Sequence, residues 1–248
     1  MGDAIVWWIA LQLLGLAAVP IAAVLLRALP DRGYTLSKPL GLMLTGWLAY
    51  IVAMLKIAQF DRLLVTLCLL VVAAFSVFLL LRNGRALLYE LRDHFSRPST
   101  LRYVLVAELL FAIAFVIWAI VRAYNPDIVD QEKFMDYGFL NAILKSGTFP
   151  PNDQWLAGFS INYYYFGYIL IAALTALSGV ATQVAFNLAN VALFALTALG
   201  SFGIVHNLIT SRLLVRAARS ARRRTGSVDE GRKTNGPEPA KGDRKSVV

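Results

Sequence analysis

The sequence predicts an all-α, polytopic transmembrane helical protein of about six spans, and three observations carry that expectation. Of 248 residues, 58% are apolar and only 16% charged, against about half and a quarter in a soluble domain. Mean hydropathy is +0.61. Apolar runs close to the roughly 20 residues that a spanning helix needs recur along the whole chain. Together these exclude a soluble enzyme, a nucleic-acid-binding domain and a disulfide-stapled secreted module. Cys68 is the one cysteine and lies within an apolar run. No intrachain disulfide or Cys-based metal site is therefore available, and Cys68 reads as a small core residue.

In chain order the apolar runs cover 4–26, 40–57, 63–81, 103–121, 163–180 and 185–208. The first is not a secretory signal: Asp3 stands where a basic segment would, and the run exceeds the roughly 7 to 15 residues of a signal core. It reads as a retained helix, kinked near Pro20. Between the third and fourth runs, Arg82, Arg85, Arg92, Arg97 and Arg102 alternate with Leu87, Leu88, Leu91 and Phe95 at helical spacing. That pattern fits an amphipathic segment on a headgroup surface, or equally a solvated connecting helix. From Arg212 the composition turns to Arg, Lys, Gly, Ser and Pro, too polar to bury a core, so a disordered tail touching at most anionic lipid is expected. The chain thus divides into N-terminal helices with a basic connector (1–102), a core (103–211) holding an acidic loop (122–162), and the tail (212–248).

The tail carries eleven of the 24 bases and four of the 15 acids, which accounts for +7 of the net +9. The high pI therefore belongs to the tail, and no nucleic-acid partner is expected. Basic loops face the cytoplasm, yet with six spans the basic connector and the basic tail fall on opposite sides of the membrane. Without the tail, a count of eight bases against five favours an outside N-terminus; with it, the inverse wins by sixteen to eight. Six spans leave the orientation open.

The 122–162 loop is long and holds Asp127, Asp130, Glu132, Asp136 and Asp153 among many aromatics and prolines. Loops of that length are functional or disordered, and the aromatic content points to one folded against the membrane. Residues 131–146 read as a short interfacial helix with Phe134, Met135, Phe139, Leu140, Ile143 and Leu144 on its apolar side, Gly147 as C-cap, and Pro150 and Pro151 forbidding continuation. Glu132 and Asp136 then share one face. Such a pair binds a divalent cation, magnesium or manganese, or acts as a base beside one; solvated helix charges are the commoner use of this spacing. Tyr163, Tyr164 and Tyr165 suit an aromatic belt, but three consecutive tyrosines point three ways, and at least one is expected to face the loop and bond a sugar or phosphate. Glu108, inside the fourth run, is expected to face a bundle interior or polar cavity. His94 and His206 have no ligand pattern and read as surface or boundary residues.

These residues carry a resemblance. Arg122-Ala-Tyr-Asn-Pro-Asp127, Glu132-Lys-Phe-Met-Asp136, Phe139-Leu-Asn-Ala142, Phe149-Pro-Pro-Asn-Asp153-Gln-Trp155-Leu-Ala-Gly158 and Asn162-Tyr-Tyr-Tyr-Phe-Gly-Tyr168 resemble the YYY-domain family of polytopic membrane proteins, named for its tyrosine triplet. That family in turn resembles the GT-C fold glycosyltransferases, whose acidic first loop lies on the non-cytoplasmic side. The chain departs from the pattern at Phe134 and Gln154, where prolines are expected, and has fewer spans than GT-C enzymes, as a truncated member or one half of a split protein would.

The resemblance implies a GT-C-type glycosyltransferase, or a fragment of one, that transfers a sugar from a polyprenyl-phosphate donor at the non-cytoplasmic face. Glu132 and Asp136 become catalytic candidates, and with Asp153 metal-ligand candidates. Arg122 and Lys133 become phosphate contacts, with Asp153, Trp155, Asn162, Tyr163, Tyr164 and Tyr165 as further substrate contacts and Glu108 in the substrate path. The implied partners are the lipid bilayer, the polyprenyl-phosphate sugar and a second membrane chain completing the fold, in a multi-pass protein of the plasma membrane. A different class, a transporter or membrane-complex subunit with Glu108 in a polar pathway, is the second expectation.

Overall fold

The computed structural model describes the backbone of residues 2–82 and 84–234 and the side chains of 2–82 and 88–220. The described residues contain α-helices, one 3-10 turn at Tyr34–Leu36 and no strand. The helices are α1 (Gly2–Leu25), α2 (Ser37–Met54), α3 (Arg62–Arg82), α4 (Gly84–Ser96), α5 (Pro98–Tyr124), α6 (Lys133–Ser146), α7 (Phe166–Ser178) and α8 (Thr182–Thr234). A compact unit ends at Asn207 and a second begins at Leu208.

Five segments are long and apolar enough to cross a membrane: Gly2–Leu25, Tyr34–Met54, Arg62–Arg82, Pro98–Tyr124 and Thr182–Ser220. Their outer faces are apolar, as lipid requires: Leu63, Leu70, Leu105 and Leu109 are all exposed. Inside, small residues let the backbones approach. A Cβ on Gly41 of α2 would lie 2.0 Å from the Leu14 carbonyl oxygen of α1, and one on Gly15 of α1 would lie 2.7 Å from Lys38 Cγ. In lipid, where apolar burial drives nothing, such close packing supplies the attraction between helices. Ser76 of α3 adds a hydrogen bond to the Ala17 carbonyl of α1. Cys68 is buried in the core of α3, as expected.

One end of the bundle is tied by Asp31, in the turn after α1. Its carboxylate accepts bonds from Gly33 N at 2.9 Å, Thr35 Oγ1 at 2.8 Å, Tyr103 Oη of α5 at 3.0 Å and Asn207 Nδ2 of α8 at 2.8 Å, while its own amide donates to Asn207 Oδ1 at 3.0 Å. Burial works to raise this carboxyl, and the bonds outweigh it, so Asp31 lies below its ordinary value. Helix α4 covers the same end: Glu90 pairs with Arg32, whose cation holds Glu90 below its ordinary value, and the Phe95 ring meets Tyr34 at 6.1 Å. The His206 ring lies against Tyr103 with centroids 4.0 Å apart and planes tilted by 30°, and His94 packs edge-on to Phe95.

The fifth apolar run departs from expectation. Over 163–180 only Phe166–Ser178 is helical, 13 residues, or about 20 Å at 1.5 Å per residue against a hydrocarbon core of about 30 Å. The chain meets the same helix before and after it: Tyr168 Oη near the start of α7 donates to Asp136 Oδ1 of α6 at 2.5 Å, and Thr182, which opens α8 three residues after Gly179, lies 3.0 Å from the hydroxyl of neighbouring Tyr137. Helix α7 therefore leaves and returns to one end of the bundle without crossing it. Two local causes shorten it. The tyrosine triplet is held out of the helix by ring contacts, and Gly179, in the left-handed region at φ 72°, stops it, its amide bonding the Thr175 carbonyl at 2.9 Å.

The tail also differs. Backbone expected to lack order from Arg212 continues as α8 to Thr234, because its Arg- and Ala-rich composition propagates a helix already nucleated in the bundle. The expectation for 235–248 lies outside the described residues.

Candidate functional site

The 122–162 loop, α6 and the triplet build one face at the bundle end opposite Asp31. Helix α6 begins at Lys133, two residues later than the spacing predicts, because Asp130 and Gln131 sit in the left-handed region at φ 69° and 52°, where a right-handed helix cannot start. Its stop at Gly147, left-handed at φ 66°, is as expected. The loop bends back beneath it: Phe60 N donates to Gly147 O at 2.5 Å and joins the α2–α3 turn to this end. Residues 151–161 form a narrow hairpin through the Asn152–Ser160 bridge, with Asp153 N to Phe159 O and Ile161 N to Pro151 O both 2.9 Å. Gly138 gives the hairpin room, since a Cβ there would lie 2.6 Å from Gln154 Nε2.

Two phenylalanines organise the aromatics. Phe139 of α6 meets Trp155, Tyr163 and Tyr168 at 6.1, 5.5 and 5.5 Å between centroids. Phe149, buried, meets Tyr50, Phe60 and Tyr165 at 5.2, 5.3 and 6.4 Å. The triplet points two ways rather than the three expected, because the Tyr163 and Tyr164 rings pack together with centroids 4.1 Å apart. Tyr163 leans on Phe139, Tyr164 is exposed, and Tyr165 packs on Phe149 beside the Tyr50 hydroxyl. A hydrogen bond to Tyr164, with the charges of Glu132 and Asp136 adding to it, pushes the Tyr163 hydroxyl up to about 12.

Asp136 is half-buried with its carboxylate held by Tyr168, whereas Glu132 is exposed at the helix start. Asp153 does not join them. Its Oδ1 accepts from Trp155 N at 2.8 Å and Leu156 N at 2.9 Å, closing the hairpin turn. The expected metal set of Glu132, Asp136 and Asp153 is thus not brought together, and among the described residues no group of three or more His, Cys, Asp or Glu is placed to hold a metal ion. Trp155 and Asn162 are exposed on the hairpin side, and Lys133 is half-buried one residue from Glu132.

Arg122 ends α5 at this face. Its Nε donates to Asn187 Oδ1 of α8 at 3.0 Å, its terminal nitrogen bonds the same oxygen, and Asn187 Nδ2 reaches back to the Pro126 carbonyl at 3.0 Å. Arg122 and Asn187 rim a cavity of about 850 Å³ among α1, α5 and α8, walled mainly by apolar residues such as Trp8, Phe115, Ile120 and Val191. Tyr137 of α6 packs edge-on to Phe186 of α8 at 5.9 Å, one residue before the cavity-lining Asn187.

Glu108 lies elsewhere, about four turns down α5 from Arg122. It pairs with the buried Lys38 of α2 and accepts from Tyr34 Oη at 2.9 Å and Gln12 Nε2 at 3.0 Å. The pairing with Lys38, counted from the sequence among loop bases, is visible only in the fold. Tyr168, Asn187, Phe139 and Tyr137 also escaped the sequence as site residues. Tyr168 and Phe139 did leave a signal, each within a motif that carries the resemblance.

Five apolar helices long enough to cross a membrane, their lipid-facing sides and a folded loop at one end define an integral, multi-pass membrane protein. Within that class the chain belongs to the family described as Uncharacterized membrane protein (DUF2298), which matches residues 44–228 and so takes in the whole loop, triplet and α8 start. No curated protein and no solved structure matches the chain.

Proposed function

We propose that the loop end binds a lipid-linked phosphosugar and that the protein acts there as a GT-C-type glycosyltransferase, or as the part of one that holds donor and base. The observation that carries this reading is the presence, at one end of the bundle, of a carboxylate oriented by Tyr168 and of an apolar cavity lined by Arg122. About 850 Å³ lies within the roughly 300–1,000 Å³ of ligand pockets. Its walls suit an isoprenoid chain and its Arg122 rim a phosphate. Tyr163 and Tyr164 offer ring faces and hydroxyls to a sugar.

In this reading the acceptor hydroxyl attacks the anomeric carbon and gives its proton to Asp136. The sugar–phosphate C–O bond breaks, and the lipid phosphate leaves with the electron pair toward Arg122 and Lys133. Tyr168 orients Asp136, as a third group does for a base. Polyprenyl-phosphate sugars in membranes from cells expressing wild type and variants, followed by mass spectrometry, test it. Asp136→Asn is expected to lower sugar consumption about a hundredfold or more, with Glu132→Gln weaker because Glu132 is exposed and unheld. Wild-type consumption in both variants, at equal protein levels, overturns the reading.

A further inference from the structure

We propose that the bundle end bearing Asp31 and α4 faces the cytoplasm and that α4 seats there on anionic phospholipid headgroups. The proposal does not rest on the transferase reading. It starts from what the short α7 does to the charges. With α7 returning to the end it left, α8 runs from Thr182 beside α6 to Asn207 beside Asp31, so the chain leaves its first unit at the α4 end. Arg212, Arg216 and Arg219 follow, all exposed, within the roughly 15–20 residues over which bases orient a span. The opposition of two basic clusters that six spans would impose disappears with five.

The same segregation holds inside the first unit. The α4 end carries Arg27, Arg32 and the five arginines of 82–102 against three acids, Asp31, Glu90 and Asp93. The loop end carries five bases against seven acids, and the two remaining charges, Lys38 and Glu108, neutralise each other between the ends. One end is net basic and the other net acidic, so the positive-inside rule and the tail agree.

Helix α4 supplies the surface. Glu90 and Phe95 pin one side to Arg32 and Tyr34, while Leu88, Tyr89 and Arg92 are exposed. Apolar and cationic side chains exposed together on a pinned helix match the boundary between headgroups and acyl chains, and the positive charge selects anionic headgroups.

The test uses the full chain in a Cys68→Ser background. Ala157→Cys in the hairpin and Ser96→Cys after α4 are labelled in cells with a membrane-impermeant maleimide. Ala157→Cys is expected to label in intact cells and Ser96→Cys only after the cells are opened; the reverse overturns the orientation. Leu88→Cys carrying an environment-sensitive dye is then reconstituted in phosphatidylcholine vesicles with and without phosphatidylglycerol. A blue shift on adding phosphatidylglycerol, lost in Arg82→Gln/Arg92→Gln, is expected. Equal emission in both vesicles, as from a helix covered by protein or neutral lipid, overturns the lipid contact.

Discussion

Lys38 shows what a single buried charge requires in a bundle of this kind. Its ammonium, enclosed by α1, α2 and α5, pairs with Glu108, whose carboxylate also accepts from Tyr34 and Gln12, and the Tyr34 and Phe111 rings lie 5.8 and 5.0 Å away. Removing one member of a buried pair strands the other, at a cost of about 3–5 kcal/mol. Lys38→Met is therefore expected to lower thermal stability in detergent sharply, and Lys38→Met/Glu108→Gln to recover most of the loss. If the single variant melts with wild type, the pair is not supporting the bundle. Asp31 gives a pH test. Because its folded carboxyl lies below the ordinary value of 3.8, its contribution is complete above that pH. As pH falls below it the unfolded chain takes up the proton first, and the contribution drains away until the folded carboxyl titrates. Melting in detergent should weaken with acid over that window, and Asp31→Asn should flatten this part of the profile; equal slopes would remove Asp31 as the source. Neither residue's role is legible in the sequence, where Lys38 counts among the loop bases and nothing singles out Asp31, because their partners on other helices lie tens of residues away.

Elements differ in how far their own residues specify them. The stop of α6 needs only Gly147 and the following prolines, so it reads directly from the sequence. Its start does not, because the left-handed Asp130 and Gln131 follow from how the loop leaves α5. For α7 the apolar run is long enough to suggest a span, but the tyrosines that would complete it are taken by Phe139 and Phe149. Phe149→Ala should therefore cost about 3–5 kcal/mol and release Tyr165, measured as lower melting with increased proteolysis of the 147–165 segment. Unchanged cleavage would mean that the ring does not hold the triplet. Gly41→Ala tests the α1–α2 contact in the same assay. The new methyl meets Leu14 backbone rather than a flexible side chain, so the helices must separate, and destabilisation is expected; a neutral result would show that they can part freely.

At the scale of the whole molecule, five helices are long and apolar enough to cross the membrane, and an odd number of crossings predicts that the two termini are reached from opposite sides, whichever side the loop occupies. Small epitope tags on the N- and C-termini should therefore differ in access to antibody in intact cells, and equal access would restore a sixth crossing. The sequence by itself determined that this is an all-α membrane protein, that an acidic, aromatic loop folds at one end around a short helix, and that this helix carries Asp136 with Glu132 close by, which the structure places one residue before its start. These follow from composition and from spacings of a few residues, which act locally whatever the rest of the chain does. Only the tertiary structure decided that the fifth run turns back, that Asp153 closes a hairpin instead of joining the other acids, that Glu108 is answered by Lys38, and that a cavity opens beside Arg122. Each of these depends on which distant side chain arrives at a given place, and in lipid that is set by close packing and polar partners, whose positions no local pattern encodes.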